Sequence, residues 1–335
     1  MATKRTENCP LCGCGVHVVS DAAPGYQQGQ TFTICECDGC RASFAWPLAV
    51  ADAIYGHIYA NVRNVPGYNR YFRYAHEVLN QKQPLDYLMG QEESYWAVVC
   101  HLRKRRSAGG RLNILEVGCG MGYFTHALAK DGFTVTGVDI SPQAVAWALA
   151  HYGPYYAGKT LQELQARGDR YDAIIMNQLI EHLPDVHGFI AAAVALLSPG
   201  GELLITTPNK SAYPDAKWET DLPPVHLWWF GEEAMSLLAE RHDCTVTFID
   251  FAPFYAANFR IKTAPVPMGD KQPVFDASGT LLISQPLPPV SPVRKLLEQT
   301  GVMDFLRTLR ANIVTRNRWR GPRGPICAAV LRRTG

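Results

Sequence analysis

The sequence predicts an α/β fold in which a parallel sheet is covered by helices on both faces. In the middle of the 335-residue chain, short apolar runs alternate with segments of helical spacing; the runs are "LNILEV", "FTVTGVDIS", "YDAIIMNQL" and "GELLITTPN". Pro142 stands in the first turn of one predicted helix, and Gly200 with Gly201 closes another. Buried strands separated by helices are typical of parallel sheets, which bind ligands beyond the carboxyl ends of their strands.

The bulk composition limits the class of protein. With 335 residues, 47% of them apolar, the chain is long enough for one large core with a smaller module, or for two domains. The formal net charge of +2 creates no strong overall field toward nucleic acid or membrane. We expect no membrane span, because no run of about eighteen apolar residues occurs. The first residues lack the apolar core of a signal peptide, so we expect a cytoplasmic protein.

A glycine-rich turn follows the first of these strands. Gly118, Gly120 and Gly122 form G-x-G-x-G between a strand and a helix, where the backbone must turn sharply and let a ligand approach closely. Asp139 ends the next strand, from where a carboxylate can accept hydrogen bonds from both hydroxyls of a ribose. The spacing differs from the G-x-G-x-x-G of NAD-binding folds, and Glu116 precedes the loop by two residues.

These motifs resemble those of a known enzyme family. "ILEVGCGMGYFTHALAKDGFTVTGVDISPQAV" is similar to motif I and the following acidic strand end of class I S-adenosylmethionine-dependent methyltransferases. "YDAIIMNQLIEHLPDV" and "LLSPGGELLITTPN" resemble the strand-four and strand-five segments of that family. The resemblance covers residues 110 to 250 and is nearest to the ubiquinone-pathway O-methyltransferases and bacterial sugar and natural-product methyltransferases. It implies a Rossmann-like sheet of seven strands, whose last strand, "PICAAVLRR", is antiparallel.

The resemblance also implies a cofactor, S-adenosylmethionine, and its binding residues. The glycines would pass under the methionine end, Asp139 would hold the ribose, and Ile140 would flank the adenine. The residues after the fourth strand would line the other side of the cofactor. The expected set is Glu116, Gly118, Cys119, Gly120, Gly122, Tyr123, Phe124, Asp139, Ile140, Ser141, Asn177, Gln178 and Leu179.

Two histidines are candidate general bases. Methyl transfer from a sulfonium is an in-line displacement, and an alcohol nucleophile gains from a positioned base. His182 lies in "IEHLP" after the fourth strand, and His226 lies in "PPVHLWWF" after the fifth, so we expect both at the catalytic edge of the sheet. Glu181 could orient either imidazole. The open alternative for His182 is a packing role at the start of the next helix.

Six of the ten cysteines lie between residues 9 and 40. Cys9 with Cys12 and Cys37 with Cys40 form two C-x-x-C pairs, the pattern of a zinc ribbon. Four sulfurs would close a tetrahedral Zn²⁺ site without an open position, so we expect a structural ion that supplies folding energy to a small module. Three further side chains could replace a ligand: Cys14, Cys35 and His17.

The expected organisation has five parts. Residues 1–47 form a zinc-ribbon-like module, 48–108 a helical lid and linker, and 109–251 the cofactor-binding core. Residues 252–325 form an insertion with amphipathic helices and a basic loop, and 326–335 form the final strand. Arginines of the insertion could contact an anionic group on the acceptor. The basic run at 103–106 is either a solvated helix face or an anion site.

The expected function is methyl transfer from S-adenosylmethionine, in the first place to oxygen of a small-molecule or glycosyl acceptor that could carry a nucleotide or phosphate. N- or C-methylation of such an acceptor is a close variant. Two alternatives stay open: an RNA-modifying methyltransferase with an N-terminal zinc module, and a cofactor-binding protein without turnover. We do not expect nucleic acid as the main partner, because the basic residues are not interleaved with an aromatic platform. The sequence does not define the oligomeric state.

Overall fold

The computed structural model describes residues 6–49, 52–212, 221–257, 271–286 and 323–334, together with isolated positions between 293 and 306. Eleven strands lie in these residues. In chain order they are β1 (Val16–Pro24), β2 (Thr31–Cys37), β3 (Ser43–Trp46), β4 (Asn113–Val117), β5 (Thr134–Val138), β6 (Tyr156–Ala157), β7 (Tyr171–Asn177), β8 (Leu197–Pro208), β9 (Trp228–Trp229), β10 (Cys244–Phe248) and β11 (Ile326–Arg333).

Seven of these strands form the central sheet. Their order is β10-β11-β8-β7-β4-β5-β6. Strands β4 to β8 pair in parallel, whereas β11 is antiparallel to both of its neighbours, β8 and β10. The prediction of a seven-stranded sheet with an antiparallel last strand is confirmed. The two-residue strand β6 was not foreseen in the sequence.

Ten α-helices surround the two sheets in the described part of the chain. They are α1 (Asp52–Ala60), α2 (Asn69–Glu77), α3 (Pro84–Met89), α4 (Glu93–Ala108), α5 (Tyr123–Lys130), α6 (Pro142–Tyr152), α7 (Leu161–Ala166), α8 (Val186–Ala195), α9 (Glu232–Arg241) and α10 (Ala252–Ala257). None of them combines the length and the apolar character needed to span a bilayer. The first four occupy the stretch in which the sequence predicts a helical lid.

Both faces of the central sheet are buried, and the side chains of β7 show this. Ile174 and Met176 belong to a core shared with α7, α8 and α9, whereas Ala173 and Ile175 belong to a second core shared with α4, α5 and α6. Successive side chains of a strand point to opposite faces, so alternation between two cores means helices on both sides. This arrangement explains why the strands read as continuous apolar runs.

The N-terminal module is joined to the rest of the chain through a shared sheet. Strands β1, β2 and β3 are antiparallel, and β9 adds to them as the fourth strand. In this pairing Phe44 lies opposite Trp228, and their rings pack at a centroid distance of 5.2 Å. A buried ion pair adds to the junction, because Lys210 Nζ lies 2.9 Å from Glu36 Oε2. The sheet of the N-terminal module is therefore completed by β9, a strand that follows β4 to β8 of the central sheet in the chain. The domain boundaries themselves stay a prediction.

The segment after β10 is described only in part. Residues 271–286 pack on the N-terminal module, where Gln27 and Phe275 form a parallel bridge. Most of the predicted amphipathic helices in "SPVRKLLEQTGVMDFLRTLRANIV" and of the basic loop "TRNRWRGPRGP" lies outside the described residues. The contact between these arginines and an anionic acceptor group therefore stays a prediction.

The basic run on α4 is occupied by acidic partners. Arg103 and Arg106 both contact Asp131, at 2.7 and 2.9 Å, and Arg105 lies 3.2 Å from Glu202. These ion pairs fix α4 to the sheet and to the turn after α5. They speak against both expectations, a solvated helix face and an anion site, because Arg103, Arg105 and Arg106 already have acidic partners.

Glu202 of β8 is the centre of a buried charge cluster that predicts a pH-dependent stability. Its carboxylate is only 4% exposed and contacts His101 Nε2 at 2.7 Å, Arg105, and Arg332 of β11. Burial alone would raise the pKa of Glu202, but hydrogen bonds from His101 and Arg332 lower it to about 2. A folded-state pKa below the usual 4.5 stabilises the protein above that value, and this stabilisation is lost as the pH falls through 4.5 toward 2.

We therefore expect Glu202→Gln to lower the free energy of unfolding at pH 7 by about 3 kcal/mol. The difference from the wild type should narrow as the pH is lowered from 5 to 3. Urea unfolding at several pH values measures it. Glu240→Gln, on the exposed face of α9, is the matched control and should change stability by less than about 0.5 kcal/mol. A Glu202→Gln effect that does not depend on pH would contradict this account.

Candidate functional site

The glycine turn after β4 requires glycine at each of its three positions. Gly118, Gly120 and Gly122 have φ of 71°, 51° and 78°, in the left-handed region that side chains disfavour. A Cβ at Gly118 would lie 2.8 Å from Leu179, and one at Gly122 would lie 2.5 Å from the Tyr156 ring. Leu179 and Tyr156 therefore pack closely against the loop, and Gly118 and Gly120 border a cavity.

Asp139 is fixed at the end of β5 by the same loop. Its carboxylate accepts hydrogen bonds from the backbone amides of Gly120 and Ser141, both at 2.8 Å. Burial raises its pKa, and these amide hydrogen bonds counteract part of that effect. Ile140 follows with 83% of its surface exposed at the rim of the cavity. An anchored carboxylate beside an exposed apolar side chain suits a ribose and the base attached to it.

Glu116 lies beneath the loop, at the carboxyl end of β4. It is 4% exposed and accepts a hydrogen bond from the Thr125 hydroxyl of α5. Burial raises its pKa to about 8. Tyr156 donates to the backbone carbonyl of Gly122 at 2.6 Å, so β6 also supports the loop. Glu116 borders the cavity while it ties the loop to the helix behind it.

The residues after β7 also line the cavity, and Leu179 packs against Gly118 of the glycine loop. The Thr206 hydroxyl of β8 donates to Asn177 Oδ1 at 2.8 Å, and the Gln178 amide donates to the Thr206 carbonyl at 2.9 Å. Gln178 has a φ of 54°, which turns the chain away from the sheet. All but one of the thirteen residues predicted to bind the cofactor border one cavity. The exception, Gly122, is the last glycine of the loop and the N-cap of α5.

A cluster of three polar side chains borders the same cavity. The chain forms a 3₁₀ turn at Ile180–His182 directly after β7, and this turn places Glu181 and His182 side by side. His226 comes from the loop before β9, and its ring centroid lies 4.7 Å from that of His182. A backbone hydrogen bond of 2.8 Å from Leu227 to the Glu181 carbonyl joins the two segments. We call Glu181, His182 and His226 the EHH cluster.

Two side chains of the EHH cluster are buried, and the third, His182, is half-buried. Glu181 is fully buried and His226 is 7% exposed. Burial raises the pKa of Glu181 to about 8, lowers that of His182 to about 4, and lowers that of His226 well below its usual range. His182 is oriented by a 2.6 Å hydrogen bond from Nδ1 to the Val225 carbonyl, so Nε2 carries the free lone pair. The lowered pKa values keep both imidazoles neutral at pH 7, and one ring nitrogen of a neutral imidazole has a lone pair.

Tyrosines of α1 and α2, in the predicted helical lid, also line the cavity. Tyr55 and Tyr59 project from α1; the Tyr55 ring lies 6.3 Å from that of His182, and the Tyr59 hydroxyl lies near Gly120. Tyr68, Tyr71 and Tyr74 continue the lining along α2. The cavity measures about 1580 Å³. Pockets for one small ligand typically measure about 300–1,000 Å³, so this cavity has room for a cofactor and a second molecule.

Several charged residues in the cavity were not foreseen in the sequence, and Asp221 and Arg70 are two of them. Asp221 Oδ2 lies 3.9 Å from His226 Nε2, and Arg70 on α2 pairs with Glu92 at 2.8 Å. Asp221 stands in the same segment as His226, "DLPPVH", so an acid five residues before a candidate histidine was an available signal. Nothing local in the sequence marks Arg70. In contrast, Trp228, Trp229 and Phe230 are buried and pack in the interior.

The four predicted zinc ligands come together. The Sγ atoms of Cys9, Cys12, Cys37 and Cys40 all lie within 4.8 Å of one another, with 3.8 Å between Cys9 and Cys40. A tetrahedral ion with Zn–S bonds of about 2.3 Å requires sulfur atoms about 3.8 Å apart, so the donor set fits zinc. Cys14 is exposed, and Cys35 is buried outside the group. His17 contacts Asp38 at 2.7 Å.

The fold and the cavity together define a class of protein. The sheet order, the antiparallel β11 between β8 and β10, and the glycine loop with Asp139 across from it agree with what the resemblance to class I methyltransferases implies. The cavity lies at the carboxyl ends of β4, β5 and β7, where such sheets bind their ligands.

Comparison with known proteins agrees with this class. Residues 91–248 match a family model described as a methyltransferase domain. The ubiquinone biosynthesis O-methyltransferase of Methylobacterium nodulans is 32% identical over 105 residues, which are 30% of this chain and 42% of that protein. The enzyme of the same name from Coxiella burnetii is 36% identical over 104 residues, which are 30% of this chain and 44% of that protein. Residues 91–248 are therefore a methyltransferase domain, and the family resemblance is confirmed for that part of the chain.

Solved structures give a weaker likeness. Magnesium protoporphyrin IX methyltransferase (ChlM) from Synechocystis PCC 6803 has a TM-score of 0.40 and 21% identity, over 59% of this chain and 89% of that chain. CalS10, an amino pentose methyltransferase from Micromonospora echinaspora, has a TM-score of 0.39 and 18% identity, over 51% of this chain and 91% of that chain. The matched region spans less than half the length of the two curated relatives.

Proposed function

We propose that the protein is an S-adenosylmethionine-dependent O-methyltransferase of a small hydroxylated acceptor. One observation carries the proposal: the glycine loop with Asp139 and the EHH cluster border the same cavity. The glycine loop and Asp139 suit a nucleoside, and the EHH cluster suits a hydroxyl group that must lose a proton. The matched region also resembles proteins that are named O-methyltransferases.

The residues present fit the proposed cofactor. Asp139 would accept hydrogen bonds from the ribose hydroxyls, Ile140 would cover the adenine, and the loop from Gly118 to Gly120 would pass under the methionine end. Bound S-adenosylmethionine supplies an activated methyl group on a sulfonium. The chain contributes alignment, exclusion of water by the lid, and deprotonation of the acceptor. Positioning supplies several kcal/mol of such a barrier, and a base adds about 10²–10⁴-fold in rate.

In the simplest form of this mechanism a histidine of the EHH cluster takes the acceptor proton. His182 Nε2 has the free lone pair, and the buried His226 lies against it. Glu181 lies beside both, as an orienting residue would. The tyrosine-lined cavity suits a ring-bearing acceptor, either aromatic or glycosyl, because aromatic side chains stack on both. An anionic group on the acceptor, met by arginines of the insertion, remains part of the proposal.

A structural Zn²⁺ is the second proposed cofactor. The cysteine site offers four sulfurs and no open position, so the ion would hold β1, β2 and β3 together and would not act on substrate.

Asp139→Ala should weaken binding of the demethylated cofactor, S-adenosylhomocysteine, by tenfold or more. Hydrogen bonds to a charged group contribute about 1.5–3 kcal/mol, and about 1.4 kcal/mol corresponds to a factor of ten. Calorimetric titration measures the affinity. Asp169→Ala, in the turn before β7 and away from the cavity, is the control and should bind as the wild type does. Unchanged affinity of Asp139→Ala would refute the cofactor site.

The proposed activity is tested by a screen with S-adenosylmethionine labelled in its methyl group. Separate pools of hydroxylated small molecules, nucleotide sugars and RNA serve as acceptors. Label on an oxygen of a small molecule without RNA present supports the proposal. Label only in RNA would establish the alternative of an RNA-modifying enzyme. Cofactor binding with no labelled product in any pool would indicate a protein without turnover.

A further inference from the structure

Two tyrosine hydroxyls in the wall of the cavity have no hydrogen-bond partner in the described part of the chain. They belong to Tyr26, in the turn between β1 and β2, and to Tyr55, on α1. Both hydroxyls are buried, and both residues border the cavity. Buried polar groups of native proteins are almost always hydrogen-bonded, so two unpaired hydroxyls beside one cavity indicate a missing partner. A ligand in the cavity would supply that partner.

Both hydroxyls stay protonated at neutral pH. Burial raises the pKa of Tyr26 and of Tyr55, and the Asp221 carboxylate raises both further. A neutral phenol donates one hydrogen bond and also accepts, which suits a hydroxyl group on a ligand. Tyr68, at the start of α2, differs from these two residues because its hydroxyl hydrogen-bonds Asp221.

The two hydroxyls belong to the part of the cavity that the proposed function gives to the acceptor. Tyr55 and Tyr59 lie about one turn apart on α1. Tyr59 packs against the core that contains Cys119 of the glycine loop, whereas Tyr55 packs against the core that contains Tyr26. The Tyr55 ring also lies 6.3 Å from that of His182. Tyr26 and Tyr55 therefore lie on the side of the EHH cluster.

The backbone fixes Tyr26, a residue of the N-terminal module, to two segments of the rest of the chain. Its amide donates to the carbonyl of Pro223 at 2.7 Å, three residues before His226. Its carbonyl accepts from the amide of Val274 at 2.9 Å, and its ring packs against that of Phe275 at a centroid distance of 5.9 Å. The fold therefore sets the place of this side chain.

We propose that Tyr26 and Tyr55 hydrogen-bond two acceptor oxygens other than the one that is methylated, and that the acceptor is a ring with several hydroxyls, of the glycosyl type. This inference rests on the proposed function, and it makes the N-terminal module part of the acceptor site. A pyranose carries hydroxyls around its ring, whereas a catechol has only one oxygen besides the one that is methylated. A site built to bind a substrate hydroxyl rejects analogues that lack it, because its own buried groups stay unpaired. Tyr26 and Tyr55 are thus specificity-determining residues.

The first experiment is urea unfolding of the protein without acceptor. Tyr26→Phe and Tyr55→Phe remove hydroxyls that have no partner to lose, so we expect urea midpoints equal to that of the wild type or above it. Tyr152→Phe is the matched control. Its midpoint should fall, because the buried Tyr152 hydroxyl donates to the Ala75 carbonyl. Midpoints of Tyr26→Phe and Tyr55→Phe that fall as far as that of the control would indicate structural partners and overturn the proposal.

The second experiment measures acceptor binding without turnover. The full chain, with zinc and S-adenosylhomocysteine bound, is titrated with the methyl pyranosides of glucose, galactose and mannose, and with catechol as the aromatic probe. Saturation-transfer NMR measures the affinity. We expect a pyranoside to bind, and to bind about tenfold more weakly to Tyr26→Phe and to Tyr55→Phe, because each leaves a ligand hydroxyl unpaired. Tyr152→Phe should bind it as the wild type does.

Two further readouts separate hydrogen bonding from packing. The deoxy derivative that lacks the hydroxyl bound by Tyr26 should bind the wild type and Tyr26→Phe equally, which a change in packing would not produce. With an acceptor found in the methyl-label screen, both variants should raise KM about tenfold and leave kcat unchanged, because the bonds form in the ground state and the transition state alike.

Each outcome decides the inference. No pyranoside binding up to about 10 mM, catechol as the only bound probe, or equal binding in the wild type and both variants overturns it. If the screen then finds methyl transfer to an aromatic hydroxyl, the proposed function stands without it. Pyranoside binding that depends on Tyr26 and Tyr55 supports the glycosyl site. The site then holds even if the screen finds no methylated product, in which case the proposed function fails alone.

Discussion

Cys12→Ser is expected to lose the zinc of the N-terminal module and to destabilise the folded protein by more than about 4 kcal/mol. The sulfur of Cys12 lies 3.2 Å from that of Cys37, and the pair joins the turn at the start of the chain to the end of β2. A small module cannot bury enough apolar surface to fold firmly without its ion. Loss of one of four ligands opens the site and releases the ion.

The readout must count only thiolate-bound zinc, because histidine and carboxylate side chains also bind zinc from solution. We would measure the zinc that is set free when an organomercurial titrates the thiols, with a metal-sensitive dye, and expect one per wild-type chain. Cys14→Ser is the matched control, because Cys14 is exposed and close to the site without belonging to the four. One tightly bound, thiol-releasable zinc in Cys12→Ser would refute the ligand set. Its loss in a Cys12→Ser/Cys14→Ser double variant would then identify Cys14 as the substitute.

His182→Gln is expected to lower kcat by roughly 10²–10⁴-fold while the affinity for S-adenosylhomocysteine stays within about twofold. The reason is positional. The imidazole borders the same cavity as the glycine loop, and the hydrogen bond from its Nδ1 to the Val225 carbonyl leaves Nε2 as the nitrogen with a lone pair. Glutamine can keep the hydrogen bond to the carbonyl, so the change removes the second nitrogen with little change in packing.

The same assay separates catalysis from packing. A packing role for His182 would lower the free energy of unfolding and leave kcat of the folded fraction unchanged. His151→Gln is the control, and it should leave kcat and stability unchanged because His151 is an exposed residue of α6. A wild-type kcat in folded His182→Gln, together with a large loss in His226→Gln, would move the catalytic role to His226.

The parts of the fold that are local in sequence were predictable. The glycine loop, Asp139 and the apolar strands are signalled by residues that are neighbours in the chain, and the structure brings them together as expected. Strand β6 was missed because two residues, Tyr156 and Ala157, are too short to show a period. Its role depends on Tyr156, which fills the space beneath Gly122 and is not marked by any turn signal.

The candidate site was only partly predictable for a related reason. Each histidine could be placed at the catalytic edge from the strand it follows, but the distance between them depends on how the loop before β9 folds back over β7. That path is set by packing of Trp228 against Phe44, a contact between segments far apart in the chain. No pattern within either segment encodes it.

Strand β9, which joins the sheet of the N-terminal module, limits where the chain can be divided into parts that fold independently. β9 pairs only with β3 among the described strands, and Trp228 of β9 and Phe230, which follows β9, are almost fully buried. A variant that lacks the residues before β4 would leave β9 without its partner strand and would expose its aromatic side chains. Such a surface is prone to aggregation. During synthesis the cysteine module emerges first, yet its sheet is completed only when β9 has left the ribosome. We therefore expect the N-terminal module and the rest of the chain to complete their folding together. We also expect that neither part folds when it is transferred alone to another protein.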